Sequence, residues 1–186
     1  MHKMLYFYII ANYFLTIFCR IVKLHNSYCC ILCNMTRKDI TCIHYQHTIT
    51  NPGLILWIKK HPLFIGSCGT YHLYTVEKLP THRPKGRLDY QLLYIASGRA
   101  HFYFDGKPTV VEAGNMVLYR PREEQRYYYG ADQTEVYWVH FTGNNVKNFL
   151  RRYGIADDTR IIYTGISIEY KNLFMSMIEE LNLQLN

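Results

Sequence analysis

Residues 88–142 constrain the fold more than any other part of the chain. The segment consists of short apolar and β-branched runs separated by small or polar pairs that contain glycine. These pairs are Ser97-Gly98, Asp105-Gly106, Ala113-Gly114 and Gly130-Ala131. Turns at such short spacing, with no helical period between them, are typical of antiparallel strands. We therefore predict a compact antiparallel β-barrel, a fold that can hold one small ligand in its mouth.

Alternation within the segment indicates which strand faces are apolar. In residues 99–104 the even-numbered side chains are apolar, whereas Arg99, His101 and Tyr103 share the opposite face, which can meet water or a ligand. Asp105-Gly106 follows and predicts a type I′ hairpin turn, because both central residues of that turn need positive φ. Residues 137–141 are apolar in both alternations, which predicts a strand covered on both sides.

The remaining strands follow from composition and turn signals. Six strands are predicted at residues 89–96, 99–104, 108–112, 116–119, 125–129 and 135–142, preceded by short strands at 54–58, 63–65 and 71–76. Residues 81–86 are predicted to form a loop, since Pro84 and Gly86 favour a turn.

After residue 142 the pattern becomes helical. Asn144 or Asn145 can cap a short helix that runs to Arg152, and Gly154 is placed to end it. A brief strand at 160–163 precedes a second helix from about Ser167. Its apolar stripe, at helical spacing, is Tyr170, Leu173, Phe174, Met177, Ile178, Leu181 and Leu185.

Such a stripe either covers the barrel of its own chain or pairs with the same helix of a second copy. We expect a homodimer, with Leu173, Phe174, Met177, Ile178 and Leu181 at its interface. The helix reaches residue 186 with no glycine or proline to stop it, so we expect the chain to be cut inside a longer protein.

The 186 residues suffice for one well-packed domain and an appendage. We predict the barrel over residues 51–143 and a helical dimerisation segment over residues 144–186. Residues 1–50 fit neither unit: they hold five of the six cysteines, five basic residues and one acidic residue. A charge-free run at residues 4–19 resembles a signal peptide, but it is shorter than a bilayer span. We interpret residues 1–50 as a disordered extension or the product of a misassigned start codon, with a membrane anchor as the alternative.

Metal and nucleophile motifs are absent from the barrel sequence. Metal sites in small barrels usually use converging histidines, often as His-x-His, but the histidines here are scattered singly. Cys30-x-x-Cys33 has metal-ligand spacing, yet no second pair follows at zinc-ribbon distance. No nucleophile elbow, phosphate loop or dinucleotide fingerprint occurs. We therefore predict no metal, no cofactor and no enzymatic activity.

The barrel instead carries aromatic rings with polar tips, and several fixed hydrogen-bond donors. Residues of this kind are Arg83, Tyr94, Tyr103, Tyr119, Tyr127, Tyr129, Tyr137, Trp138 and His140. From this set we take Arg83, Tyr103, Tyr127, Trp138 and His140 as the candidate ligand-binding residues. Flat rings stack on the apolar faces of sugars, while Arg, Tyr and His side chains hydrogen-bond hydroxyl groups. The net charge of +7 is not gathered into a basic stripe or a helix-turn-helix unit, so we expect no nucleic-acid groove on the barrel. A sugar or polyol is the expected ligand.

Five segments together resemble the N-terminal ligand-sensing domain of AraC-family transcription regulators. They are His-Arg-Pro-Lys-Gly at 82–86, Asp-Tyr-Gln-Leu-Leu-Tyr-Ile at 89–95, Ser97-Gly98, Ala-Gly-Asn-Met-Val-Leu-Tyr-Arg-Pro at 113–121, and Tyr-Trp-Val-His-Phe at 137–141. Their order and spacing match over about residues 60–186. The resemblance implies a mainly β fold, a cupin-like jelly-roll barrel followed by two helices that dimerise. It also implies that DNA is bound only through a C-terminal helix-turn-helix domain that is not among these residues.

The resemblance implies residue roles as well. In the arabinose-responsive member, the arginine of the Arg-Pro-x-Gly motif holds the sugar, and Arg83 occupies that place. Tyr127 and Trp138 match a tyrosine and a tryptophan that contact the sugar. A histidine two residues before that tryptophan is replaced here by Val136, which argues against arabinose itself.

The sequence thus predicts the ligand-sensing and dimerisation domain of a cytoplasmic regulator that responds to a carbohydrate effector. The alternative is a stand-alone metal-dependent cupin enzyme, such as a sugar isomerase or dioxygenase.

Overall fold

The computed structural model describes residues 30–36, 40–47, 60–130 and 132–183, with side chains from residue 60 to residue 181. The strands are β1 Cys30–Thr36, β2 Ile40–His47, β3 Phe64–Leu73, β4 Lys78–Arg83, β5 Tyr90–Ser97, β6 Arg99–Phe104, β7 Lys107–Glu112, β8 Asn115–Tyr119, β9 Gln125–Gly130, β10 Glu135–Thr142 and β11 Ile161–Tyr163. The helices are α1 Val146–Arg152 and α2 Ile168–Leu183. The six strands predicted from residue 89 onward are confirmed, with ends that differ by one residue at most, and both helices are confirmed over the described residues.

The described strands form two antiparallel sheets. The seven-stranded sheet has the order β1-β2-β3-β10-β5-β8-β11, and the four-stranded sheet has the order β4-β9-β6-β7. The pairs β3 with β10, β4 with β9, β5 with β8, and β6 with β7 are nested in the chain and alternate between the two sheets. This nesting is the connectivity of an eight-stranded jelly roll. The predicted fold, mainly β with two following helices, is confirmed.

The centre of this nesting is the hairpin between β6 and β7. Asp105 has φ 52° and Gly106 has φ 77°, so both central residues occupy the left-handed region. This confirms the positive φ values that the predicted type I′ turn requires. Because β6 pairs with β7 on one side and β9 on the other, the local turn also fixes which strands meet in the smaller sheet.

Two predicted boundaries are wrong, and each was set by glycine or proline. Residues 63–65 and 71–76 were predicted as separate strands, but β3 runs unbroken through Gly66 and Gly69. It does so because residues 67–72 are paired on both edges, with β2 and with β10, and Gly66 lies at a register shift in the pairing with β10. Residues 81–83 were predicted in a loop, yet they end β4, which pairs with β9. The turn starts only at Pro84.

A third expectation concerned the start of α1. Asn145 is the N-cap residue, but its side chain makes no capping hydrogen bond to the helix backbone. Its Oδ1 instead accepts a bond of 3.0 Å from Asn148 Nδ2. Gly154 has φ 73° and follows the helix, as predicted for its end.

Part of residues 1–50 adds to the larger sheet. β1 pairs with β2, and β2 pairs with residues 67–73 of β3. The charge-free run at 4–19 and the predicted strand at 54–58 lie outside the described residues, as do the side chains of Cys30 and Cys33. The interpretation of residues 1–50 as an extension stays a prediction. No helix in the described part of the chain has the length and apolar character needed to cross a membrane.

The larger sheet is covered on both faces. Between the two sheets lies the inner core, which includes Leu93, Phe102, Tyr119, Tyr129 and Trp138. On the opposite face α1 and α2 form the outer core, which includes Tyr94, Tyr137, Phe141, Tyr170 and Phe174. β10 contributes to both cores, which confirms that residues 137–141 are covered on two sides.

The predicted dimerisation residues lie largely inside this outer core. Phe174, Met177, Ile178 and Leu181 are buried within their own chain, and Leu173 is half-buried against the same cluster. The stripe therefore packs on the sheet of its own chain. Dimerisation through the helical segment stays a prediction, and Leu185 lies outside the described residues.

Candidate functional site

A cavity of about 240 Å³ lies between the two sheets at one end of the barrel. Its aromatic lining, here called the aromatic wall, is Tyr71, Tyr127, Tyr129 and Trp138. Its polar lining is Ser67, Thr81, Arg83, Arg87, Gln91 and His140, and Leu79 and Pro80 complete it. A concave site with aromatic walls and a few convergent polar groups is the usual form of a small-molecule site.

Strand register aligns three of the polar residues. His140 on β10 is opposite Ser67 on β3 and opposite Gln91 on β5. The three residues thus form one row across neighbouring strands, here called the polar row. All three are buried, with exposed fractions of 2–5 %. A buried row of polar side chains in an otherwise apolar strand face marks a site rather than a packing surface.

The polar row keeps part of its hydrogen-bonding capacity unused. His140 Nδ1 and Ser67 Oγ are 2.7 Å apart, and Gln91 Nε2 donates to Tyr127 OH over 3.3 Å. His140 Nε2 and Gln91 Oε1 are buried without a hydrogen-bond partner among the described residues. Leaving such an atom unpaired costs about 1–3 kcal/mol. A ligand that bonded both atoms would recover that cost.

The turn after β4 places two arginines at the cavity. Gly86 N donates to Arg83 O over 3.0 Å, so Pro84 occupies the second position of a β-turn, where its fixed φ is suitable. Gly86 has φ +61°, and a Cβ there would lie 2.1 Å from Glu123 O. Only glycine fits this position. The Arg-Pro-x-Gly motif therefore has a structural reason, since it turns the chain so that Arg83 and Arg87 both line the cavity.

The two arginines differ in their partners. Arg87 binds Asp89 through two bonds, Nε to Oδ1 at 2.6 Å and Nη2 to Oδ2 at 2.9 Å. Arg83 Nη1 donates to the neutral amide oxygen of Gln125, at 2.9 Å. The charge of Arg87 is thus balanced, whereas that of Arg83 is not balanced by any described neighbour.

Burial and charge together keep His140 neutral. Loss of solvent is the main cause that holds the pKa of His140 well below its usual range, and the positive charges of Arg87 and Arg83 lower it further. The imidazole is therefore uncharged at neutral pH. It offers the cavity one nitrogen, Nε2, as a donor or an acceptor according to its tautomer.

The aromatic wall provides flat surfaces beside the polar row. The rings of Tyr71 and Trp138 are stacked with centroids 6.4 Å apart, and those of Tyr127 and Tyr129 are 5.5 Å apart. Trp138 also contacts the His140 ring, at 4.9 Å. Hydrogen-bonding groups next to aromatic faces can bind a compact molecule that has both polar and apolar sides.

The structure brings together four of the five predicted ligand-binding residues: Arg83, Tyr127, Trp138 and His140 all line the cavity. Tyr103 does not. It lies on the outer side of β6, where the Arg126 guanidinium is 4.3 Å from its ring centroid. The reason is the strand period of two: Phe102 and Phe104 turn inward, so Tyr103 turns outward.

Sequence reasoning missed Ser67, Gln91 and Arg87 as site residues. Gln91 carried a usable signal, because it is a polar residue near the start of an otherwise apolar strand. Ser67 gave no such signal, since its glycine-flanked segment resembled a turn. Among the described residues, no group of three or more His, Cys, Asp or Glu side chains could hold a metal ion.

Comparison with solved structures gives likenesses of low identity. A Cupin 2 conserved barrel domain protein from Salinispora arenicola is 16 % identical over 64 % of this chain and 90 % of its own, with a TM-score of 0.40. The plu4264 protein from Photorhabdus luminescens is 15 % identical over 66 % of this chain and 91 % of its own, with a TM-score of 0.39. AerE from Microcystis aeruginosa is 7 % identical over 73 % of this chain and 53 % of its own, with a TM-score of 0.43.

No curated protein matches the chain. The family model described as AraC-like ligand binding domain matches residues 67–183, which include most of β3, the strands β4 to β11, the cavity and the two helices. The chain belongs to the family of AraC-like ligand-binding domains.

Proposed function

We propose that this chain is the effector-sensing part of an AraC-type transcription regulator and that its cavity binds a carbohydrate or a related polyhydroxy molecule. The observation that carries the proposal is the polar row, whose Gln91 Oε1 and His140 Nε2 are buried and unpaired next to Arg83. Such atoms cost stability unless a ligand binds them, so their presence favours a binding role. Family membership supports small-molecule binding as the coarser conclusion.

The aromatic wall favours a carbohydrate among polar ligands. Sugar rings have apolar C–H faces and hydroxyl edges, and the cavity offers ring faces beside hydrogen-bonding groups. Val136 is fully buried in the inner core and contributes no polar atom. Arabinose therefore remains outside the proposal.

A route from the cavity to the helices runs through β10. Trp138 and His140 face the cavity, while Tyr137 OH donates to Glu135 Oε1 over 2.6 Å on the other side. Glu135 in turn binds Lys171 of α2. We propose that ligand contact with β10 shifts the population of α2 conformations. We propose that a second copy contacts the edges of the buried stripe of α2, where Leu173 and Met175 are half-buried.

We propose that the protein binds its ligand in the cytoplasm and is not an enzyme. In this proposal a domain beyond these residues binds DNA. The alternative, a metal-dependent enzyme, makes a separable prediction. Purified protein that holds iron, manganese, zinc or nickel in stoichiometric amount by elemental analysis would favour the enzyme.

The direct test is calorimetry with a panel of monosaccharides and sugar derivatives. We expect at least one to bind, and we expect Arg83→Ala to weaken it by about 1–3 kcal/mol, or roughly fivefold to a hundredfold in Kd. Arg126→Ala is the matched control, because Arg126 is on the outer side of the neighbouring strand, over the Tyr103 ring. The absence of any binder, or an equal affinity in Arg83→Ala, would contradict the proposal.

A further inference from the structure

We infer that the effector is a monocarboxylate of monosaccharide size, a sugar acid whose carboxylate pairs with Arg83. This inference rests on the proposed function, because it names the chemical class of the ligand at the same cavity. It departs from the neutral sugar that the aromatic wall alone would favour.

The lining of the cavity is positively charged. Among the described residues that line the cavity, two are cationic and none is acidic. Arg87 is already paired with Asp89 through two hydrogen bonds, and the side chains of that pair are only 29 % and 22 % exposed. Arg83 has only the amide of Gln125. The cavity thus presents about one positive charge that no described residue neutralises.

The guanidinium of Arg83 has hydrogen-bond donors that can bind a ligand. Gln125 occupies one N–H of Nη1, and the other N–H groups of Arg83 have no partner among the described residues. A guanidinium and a carboxylate form parallel bidentate hydrogen bonds, which are about twice as strong as neutral ones. A neutral hydroxyl group would use only part of this capacity.

The number of charges selects a carboxylate over a phosphate. A carboxylate carries one negative charge, whereas a phosphate monoester carries about 1.5 to 2 at neutral pH and would call for a second free cation. Arg87 is committed to Asp89, and His140 is held neutral by burial and by the two arginines. One available charge therefore matches one carboxylate.

The rest of the cavity fits the remainder of such a molecule. Gln91 Oε1 and His140 Nε2 can bind hydroxyl groups, and the aromatic wall can cover the ring. The volume of about 240 Å³ suits one molecule of monosaccharide size.

The test compares acid and neutral members of matched pairs by calorimetry at neutral pH and low salt. The probes are galacturonate against galactose, glucuronate against glucose, gluconate, and glucose 6-phosphate. We expect an acid to bind wild-type protein about tenfold to a hundredfold more tightly than its neutral partner. This comparison needs no variant. Added salt should weaken the acid more than the neutral sugar.

Variants then locate the charge. Arg83→Gln should remove most of the preference for the acid, while Arg83→Lys should keep part of it, because lysine retains the charge but not the bidentate fork. Arg126→Gln, which removes the same charge from the outer side, should leave the preference intact.

The outcomes separate this inference from the proposed function. A neutral sugar that binds as tightly as its acid overturns the monocarboxylate and leaves the sensing proposal standing. Tightest binding of glucose 6-phosphate also overturns it, since a dianion would then be preferred. If no probe binds, both fail.

Discussion

The two faces of the seven-stranded sheet are both buried, but they differ in whether their polar atoms have hydrogen-bond partners. In the outer core the hydroxyl groups of Tyr94, Tyr137 and Tyr170 donate to Gly165 O, Glu135 Oε1 and Thr164 O. In the inner core Tyr119 OH, Gln91 Oε1 and His140 Nε2 have no hydrogen-bond partner among the described residues. The same sheet thus has one face whose tyrosines are satisfied and one face that keeps polar atoms unpaired.

The two faces contribute differently to stability and to ligand binding. The helix-covered face gains from apolar burial and satisfied hydrogen bonds, so substitutions there should lower the free energy of unfolding. The cavity face gives up some of that free energy to keep polar atoms ready for a ligand. Substitutions there should change ligand affinity and pH response more than stability.

The largest expected effect is the loss of a ring from the outer core. Phe174 is fully buried, with its ring centroid 6.4 Å from that of Tyr94 and 5.5 Å from that of Tyr137. We expect Phe174→Ala to lower the free energy of unfolding by about 3–5 kcal/mol, because it leaves a cavity. Urea unfolding measures this change.

Ile168→Ala is the control for this variant. Ile168 lies on the same helix but is 65 % exposed, and its truncation should cost less than about 0.5 kcal/mol. A loss below about 1 kcal/mol for Phe174→Ala would mean that α2 does not depend on the sheet, and it would remove the contrast between the faces.

The second-largest expected effect is a pH dependence of the free energy of unfolding that arises from His140 on the cavity face. Because burial keeps the pKa of His140 well below its usual range, the unfolded chain binds a proton below about pH 6.5 that the folded chain does not. Stability from this residue is fully present above that pH and falls as the pH decreases, by up to about 1.4 kcal/mol per pH unit. The substitution His140→Asn should remove this fall in stability at low pH.

Unfolding free energies of wild type and His140→Asn, measured between pH 8 and pH 5, check the prediction. The two curves should run parallel above about pH 7 and converge below it. Parallel curves over the whole range would show that folding does not lower the pKa of His140, and they would contradict the prediction.

The smallest expected effect compares the two faces most directly, because one tyrosine hydroxyl oxygen is removed from each face. Tyr94 and Tyr119 are both fully buried. Tyr94 OH donates to Gly165 O over 3.3 Å and accepts from Ser167 N over 3.1 Å, whereas Tyr119 OH has no partner among the described residues. We expect Tyr94→Phe to cost about 1 kcal/mol, and Tyr119→Phe to be neutral or stabilising.

Thermal and urea unfolding of the two phenylalanine variants decide this pair. The variants serve as controls for each other, since the atoms removed and the degree of burial are the same. Equal losses would show that the inner face is as fully satisfied as the outer one.

Much of the fold was predictable because its signals are local. The Asp105-Gly106 hairpin, the alternation of β6 and the helical stripe of α2 depend on residues close in sequence. The errors arose where distant strands decide the structure. β3 is continuous because β10 pairs along it on both sides of a register shift at Gly66 and β2 pairs with residues 67–73, and no property of Gly66 or Gly69 reveals that pairing.

The site was predictable only in part, for the same reason. Arg83, Tyr127, Trp138 and His140 were identified, with help from the resemblance to a family. Tyr103 was misplaced with respect to the cavity, because alternation separates two faces of a strand but does not say which face meets the cavity. Ser67 joins the site only through its register opposite His140.

The class of the molecule follows from the amino-acid sequence: short antiparallel strands, glycine-fixed turns and two closing helices are each set by interactions within a few residues of the chain. Three-dimensional packing decides that Tyr71 and Tyr129 line the cavity beside Tyr127, which arginine keeps an unbalanced charge, and which buried polar atoms lack partners among the described residues. These properties depend on register and burial between strands far apart in sequence, where a shift of one residue turns every side chain to the other face.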